Sequence, residues 1–132
     1  MKAYEIMTKD ILSAEENISV KEAAQIMAKH DVGALIIQTP KLTFGIFTER
    51  DLLHLVAEGK DPEKTKVREV MTESVQCAQA EDSVDELTRI MYEENVRHLP
   101  VMDGRKLVGI ISMRDLFRVT FRAAEGYQEE VI

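Results

Sequence analysis

The stretch Gly45-Ile46-Phe47-Thr48-Glu49-Arg50-Asp51-Leu52 returns 64 residues later as Gly109-Ile110-Ile111-Ser112-Met113-Arg114-Asp115-Leu116. Working outward from it, the chain lies on itself under a 64-residue shift without a gap. Met7-Thr8 meets Met71-Thr72, Ser19-Val20-Lys21-Glu22 meets Ser83-Val84-Asp85-Glu86, and Ile26-Met27 meets Ile90-Met91. From 7 to 52, 15 of the 46 pairs are identical, where unrelated sequences of average composition would share about 3. Two copies are too few for a solenoid, whose units need about three repeats to bury their faces. The expected arrangement is two copies packed face to face as a pseudo-twofold pair. The repeats are read as 1–58 and 67–124, joined by a polar, breaker-rich linker at 59–66 and followed by a tail at 125–132.

Each copy reads as a mixed α+β unit. Ser19-x-x-Glu22 and Ser83-x-x-Glu86 have the form of capping boxes, and the apolar spacing behind them predicts helices over 20–30 and 84–94. Short branched runs predict strands at 34–38 and 44–47, and at 98–102 and 107–111. Asp103-Gly104 marks a hairpin in the second copy, while Thr39-Pro40-Lys41 joins the first pair less tidily. Thr48-x-x-Asp51 and Ser112-x-x-Asp115 place an N-cap hydroxyl before a first-turn acid. They predict helices over 49–57, ending at Gly59, and over 113–124, ending at Gly126. An extended lead-in segment precedes each copy, giving a β-α-β-β-α order, and the tail beyond Gly126 lacks periodicity.

Composition narrows the function. Of 132 residues, 17 are basic and 24 acidic, for a formal charge of −7, which speaks against nucleic acid as the main partner. No run approaches the ~18 apolar residues of a membrane span, and the polar N-terminus predicts no signal peptide, so the expected location is the cytoplasm. The single cysteine, Cys77, has no partner for a disulfide or a zinc motif. No nucleophile elbow, P-loop or zinc-binding helix is present, so no catalytic residue, catalytic cofactor or metal site is expected. Met7, Met27, Met71 and Met91 match between the copies and read as core. His30 and His54 read as surface residues of helices.

These motifs resemble the CBS domain, the module named after cystathionine β-synthase. The resemblance rests on Met7-Thr8 and Met71-Thr72, on Ala34-Leu35-Ile36-Ile37 and His98-Leu99-Pro100-Val101, and on the two Gly-x-x-Thr/Ser-x-x-Asp segments, and it covers roughly residues 4–122. It implies a tandem pair that binds an adenosine-containing ligand in two clefts between the repeats. AMP, ADP or ATP is expected, with S-adenosylmethionine as the alternative. Asp51 and Asp115 would hold ribose, and Thr48 and Ser112 would bind near ribose or phosphate. Arg50, Arg114, Arg97 and His98 would face phosphate, with Pro100 at the same site. Adenine would bond to backbone near Ser13-Ala14 and Cys77-Ala78. The chemistry is apt, because a carboxylate accepts charge-assisted bonds from a diol and a helix start attracts phosphate. Gly45 and Gly109 are expected to keep the approach clear of side chains. Helix faces carrying Leu52, Leu53, Val56, Leu116, Val119 and Phe121 are expected to be exposed and to form a homodimer. A ligand-free docking module for an enzyme or transporter is the competing reading.

Overall fold

A computed structural model describes residues 1–125 of the chain. The elements run α1 (Ala3–Ile6), β1 (Ser13–Glu15), α2 (Val20–His30), β2 (Ala34–Gln38), β3 (Gly45–Thr48) and α3 (Glu49–Ala57). A short 3₁₀ turn (Val67–Glu69) leads to β4 (Ala78–Gln79), α4 (Val84–Glu94), β5 (His98–Asp103), β6 (Lys106–Ser112) and α5 (Met113–Ala124). The fold is therefore mixed α+β, with two three-stranded sheets ordered β1-β2-β3 and β4-β5-β6. In each sheet a short strand lies parallel to the middle strand, which pairs antiparallel with the third. The four long helices begin and end where the apolar spacing and the N-cap motifs place them. The predicted tail from Gly126 lies outside the described residues.

Compactness divides the chain differently from the sequence repeat. One unit is Leu12–Val75; the other joins Met1–Ile11 to Gln76 and the residues beyond it. The lead-in of each repeat thus belongs to the unit built around the other repeat. In the second unit Ala3 N donates to Asp82 O (2.8 Å) and Tyr4 N to Ala80 O (3.0 Å). In the first, Val67 N donates to Ile18 O (2.9 Å) and Arg68 N to Glu16 O (3.1 Å), the same bonds one 64-residue shift away. Ala3 and Val67 are fully buried at these anchors. The lead-in itself departs from the extended segment expected: a single helical turn comes first, and a short strand follows. Three or four residues are too few for a 3.6 period to register.

Each unit has its own core. Val20, Ala23, Met27, Leu35, Ile37, Phe47, Leu55 and Val67 cluster in the first, while Ala78, Leu87, Met91, Leu99, Val101 and Ile111 cluster in the second. Helices α2 and α4 end on left-handed residues, Asp31 (φ 54°) and Asn95 (φ 53°), which release the chain into the middle strand. Val32 N then reaches back to Met27 O (3.0 Å) and Val96 N to Met91 O (3.1 Å), satisfying late helix carbonyls. In the second unit β5 and β6 are closed by a two-residue turn at Gly104-Arg105, where Gly104 has φ +63°, a conformation that glycine takes without a Cβ penalty.

The caps reverse one expectation. Ser19 and Ser83 do accept from Glu22 N and Glu86 N, but the reciprocal glutamate bond is not made among the described residues. Glu22 instead takes the Ser19 hydroxyl (3.4 Å), and Glu86 turns to Arg89, which holds its carboxyl below the usual range. The N–H groups at these helix starts find partners elsewhere: Val20 N donates to Thr65 O (2.9 Å) and Val84 N to Met1 O (3.2 Å). The complete reciprocal boxes form at α3 and α5, the two helices that carry the candidate site.

Candidate functional site

Strand β3 runs straight into α3, with Thr48 as the N-cap. Its hydroxyl oxygen accepts from Asp51 N (3.3 Å), and Asp51 Oδ2 accepts from Thr48 N (2.9 Å). The Thr48 hydroxyl also donates to Asp51 Oδ2 (3.2 Å). One carboxylate oxygen is thereby spent on the helix start, and the other, Oδ1, is left for other donors. In the first unit that oxygen accepts from the Thr72 hydroxyl (3.4 Å). Thr72 is brought there by the lead-in of the second repeat: Thr72 N donates to Ile46 O (2.8 Å) and Ile46 N to Thr72 O (3.0 Å).

The second unit repeats this plan with a different partner. Ser112 Oγ accepts from Asp115 N (3.2 Å), and Asp115 Oδ2 accepts from Ser112 N (2.8 Å). Thr8 pairs with Ile110 as Thr72 does with Ile46, by bonds of 2.9 and 3.0 Å. Asp115 Oδ1, however, faces the guanidinium of Arg118 at 3.5 Å. The aspartate side chain keeps 17% of its exposure and the arginine 55%. Both aspartates are thus half-buried, held rigidly through one oxygen, and able to accept further donors through the other.

The flanking positions separate the units further. Arg97 O accepts from Met113 N (2.8 Å), so Arg97 lies beside the first turn of α5, and His98 pairs across the sheet with Ser112. Arg97 and Arg114 are exposed and His98 is half-buried. The matching positions in the first unit are Gly33, whose carbonyl accepts from Glu49 N (3.0 Å), and buried Ala34 opposite Thr48. Arg50 is exposed on the first turn of α3. The structure therefore gathers Arg97, His98, Arg114, Ser112 and Asp115 at one helix start, and Thr48, Arg50 and Asp51 at the other.

Pro100 is fully buried in the middle strand β5, opposite Ile110. Its counterpart Ile36 donates N–H to Leu12 O (3.2 Å). A proline has no such hydrogen, so that ladder bond cannot form in the second unit. Consequently β4 pairs through Ala78 and Gln79 alone, whereas β1 pairs through Ser13, Ala14 and Glu15. Cys77, the counterpart of Ser13, is left just outside the ladder, and burial pushes its thiol pKa up.

Two expectations are corrected here. Gly45 and Gly109 do not hold open a ligand approach; they receive the methionines of the lead-in segments. A Cβ at Gly45 would lie 2.6 Å from Met71 Sδ, and one at Gly109 would lie 2.5 Å from Met7 Sδ and 2.9 Å from Thr8 O. Leu52 and Leu116 do not form an outer face either, because Leu52 packs against the first core and Leu116 lies in the second. The large apolar residues exposed on α3 and α5 are Leu53, Val56, Met113, Phe117 and Phe121, with Phe117 71% exposed, while Val119 is half-buried. Helical phase explains the error: each of the two leucines directly follows an aspartate held at the helix start, one position off the outer stripe.

Sequence reasoning missed Thr72 and Arg118. Arg118 was detectable, since three residues after Asp115 is one turn along the same helix face. Thr72 was not, because nothing in its neighbourhood tells that it joins the unit of the other repeat. His30 and His54 lie on exposed helix positions. Among the described residues no group of three or more His, Cys, Asp or Glu is placed to hold a metal ion, and no helix is long and apolar enough to cross a membrane.

The family model for the CBS domain matches twice, at residues 3–58 and 67–121. A Methanopyrus kandleri protein, MK0525, is 30% identical over 130 residues, covering 96% of this chain and 66% of its own length. The crystallised CBS domain pair of protein MJ0100, in complex with 5′-methylthioadenosine and S-adenosyl-L-methionine, is 31% identical. It superposes with a TM-score of 0.82 over 92% of this chain and 96% of that one. A hexameric CBS-CP12 protein from bloom-forming cyanobacteria is 29% identical, with a TM-score of 0.82 over 89% of this chain and 66% of that one.

Proposed function

The chain belongs to the CBS domain family as a tandem pair, a regulatory ligand-binding module, and from that premise we propose that it senses an adenosine-containing metabolite. AMP, ADP or ATP is the favoured ligand. The observation that supports this reading is the pair of anchored aspartates. Asp51 and Asp115 are each fixed by a capping box through Oδ2, while Oδ1 faces donors. A carboxylate so held meets the two hydroxyls of a ribose without first losing its own freedom. Thr48 and Ser112, at the positive ends of the two helix dipoles, suit the ribose oxygens or a phosphate.

Adenine would lie along the short parallel strands, at Ser13-Ala14 and Cys77-Ala78. In the second unit Pro100 removes a ladder donor, which leaves backbone there to meet the exocyclic amine of the base. Arg50, Arg97 and Arg114 are cationic candidates for phosphate, with His98 as a hydrogen-bonding candidate beside them, and they favour nucleotides over uncharged adenosine ligands. S-adenosylmethionine is the second reading, supported by the ligands of the MJ0100 pair. The exposed Leu53, Val56, Phe117 and Phe121 support a homodimer formed through α3 and α5. A partner enzyme or transporter would read the bound state, and the cytoplasm supplies such ligands.

Calorimetric titration with AMP, ADP, ATP, adenosine and S-adenosylmethionine tests the reading. Saturable binding of a nucleotide is expected, and Asp115→Ala should weaken AMP by about 10- to 100-fold, the worth of a charge-assisted contact. No heat and no thermal shift with any adenine compound would remove the proposal and leave the ligand-independent docking module. Light scattering that finds only monomer at micromolar concentration would remove the dimer.

A further inference from the structure

The Oδ1 atoms of the two aspartates have different neighbours: a neutral hydroxyl, Thr72, beside Asp51, and a guanidinium, Arg118, beside Asp115. From this difference we propose that Arg118 is a specificity-determining residue that makes the Asp115 site select ligands anionic next to the ribose, such as a 5′-phosphate, over uncharged ones. The proposal rests on the adenosine reading above and goes beyond it by dividing the ligand class between the two sites.

The argument is electrostatic. A bare carboxylate that grips a ribose also repels the phosphate attached to it. At Asp115 the guanidinium of Arg118 offsets that repulsion from within the same helix turn. Arg97, beside the first turn of α5, adds positive charge at the same helix start, whereas Arg114 has its equal in Arg50 on the first turn of α3. The positions matching Arg97 and Arg118 in the first unit are Gly33 and His54. Asp51 is thus oriented by a hydroxyl that adds no charge, and its site tolerates an uncharged ligand.

Arg118 need not leave Asp115 for ribose to bind. At 3.5 Å the pair is loose, and a carboxylate oxygen has two lone pairs. A guanidinium carries five donors, so one edge can face the carboxylate while another meets a phosphate oxygen. The exposed position of Arg118 keeps the effect modest and makes it dependent on salt.

The test compares AMP with adenosine on the full chain, by calorimetry at low and at physiological salt. Arg118→Gln should lower AMP affinity about fivefold, the size of one exposed charge contact, while adenosine is little changed. Its melting temperature should stay that of the native chain, Arg118→Lys should restore part of the AMP preference, and the salt dependence of AMP binding should shrink. His54→Arg should move the Asp51 site the other way, raising AMP over adenosine. Equal losses for AMP and adenosine, or an unchanged ratio, would overturn the role of Arg118. Failure of the native chain to bind either compound would instead remove the adenosine reading on which it stands, and the proposal with it.

Discussion

The unit around Asp51 and the unit around Asp115 share a plan down to single hydrogen bonds, yet they are finished differently. Both receive a lead-in segment from the other repeat, both seat its methionine on a glycine, and both lock an aspartate into a capping box. The first unit keeps a three-residue β1, places Gly33 and Ala34 beside its helix start, and sets a hydroxyl on its aspartate. The second shortens β4 at Pro100, closes a tight hairpin at Gly104, and places Arg97, His98 and Arg118 around its aspartate. The scaffold residues are those that a fold needs twice. Among the residues that differ, those at the helix start and along the short strand fall where the proposed ligand would be read.

The comparison can be broken most forcefully in the cores. Leu35 and Leu99 are equivalent and fully buried, so Leu35→Ala and Leu99→Ala should each cost about 2–5 kcal/mol in urea denaturation. A markedly smaller loss for one would show that its unit collapses around the cavity and that the cores are not alike.

The glycines come next. Gly109→Ala should destabilise by about 1–3 kcal/mol, and by more than Gly45→Ala. A methyl at Gly109 meets the backbone oxygen of Thr8 as well as Met7, whereas at Gly45 its three nearest neighbours are all atoms of the flexible Met71 side chain. Thermal melts that rank the two in reverse would contradict the close approach in the second unit.

Removing a cap should matter equally in both units. Thr48→Ala and Ser112→Ala should each cost about 1 kcal/mol, because each leaves a helix-start N–H without its partner. An added loss of AMP binding would separate a ligand role from capping, since stability and affinity are then read from the same variant.

Pro100→Val tests the shortened strand. The restored N–H would contribute about 1 kcal/mol as a ladder bond, but loss of the proline frees the unfolded chain by about 0.4–1 kcal/mol. Stability should therefore change little, while hydrogen exchange should show a newly protected amide at position 100. A freely exchanging amide there would mean that Pro100 is not what shortens β4.

The smallest effect concerns Cys77, where the other unit has Ser13. Burial disfavours the thiolate and raises the pKa, so less thiolate is present at neutral pH. Alkylation by iodoacetamide should be slower than in the urea-unfolded chain, with its pH midpoint displaced upward. A midpoint equal to that of the unfolded chain would show that the thiol is not shielded.

Much of this was legible in the residues. The apolar spacing behind Ser19 and Ser83 placed α2 and α4, and the Thr48 and Ser112 starts placed α3 and α5, because helix signals are local and span a dozen residues. The repeat itself announced two equivalent aspartates. What it could not show was that Thr72 joins the unit of Asp51 while Thr8 joins that of Asp115. The half capping box at Ser83 was within reach of the sequence, since Arg89 stands one turn from Glu86 on the same helix face and competes for its carboxylate.

Sequence by itself determined the 64-residue repeat, the helices and strands within each copy, and the pairing of a hydroxyl with an aspartate at two helix starts. These depend on periodicity and on bonds between residues three or four apart, which are present wherever the chain is read. Tertiary structure alone decided which lead-in completes which unit, why Gly45 and Gly109 are glycines, and what lies against each aspartate's second oxygen. Methionine on glycine and Thr72 on Asp51 join residues more than twenty positions apart, and only the packed chain sets such distances.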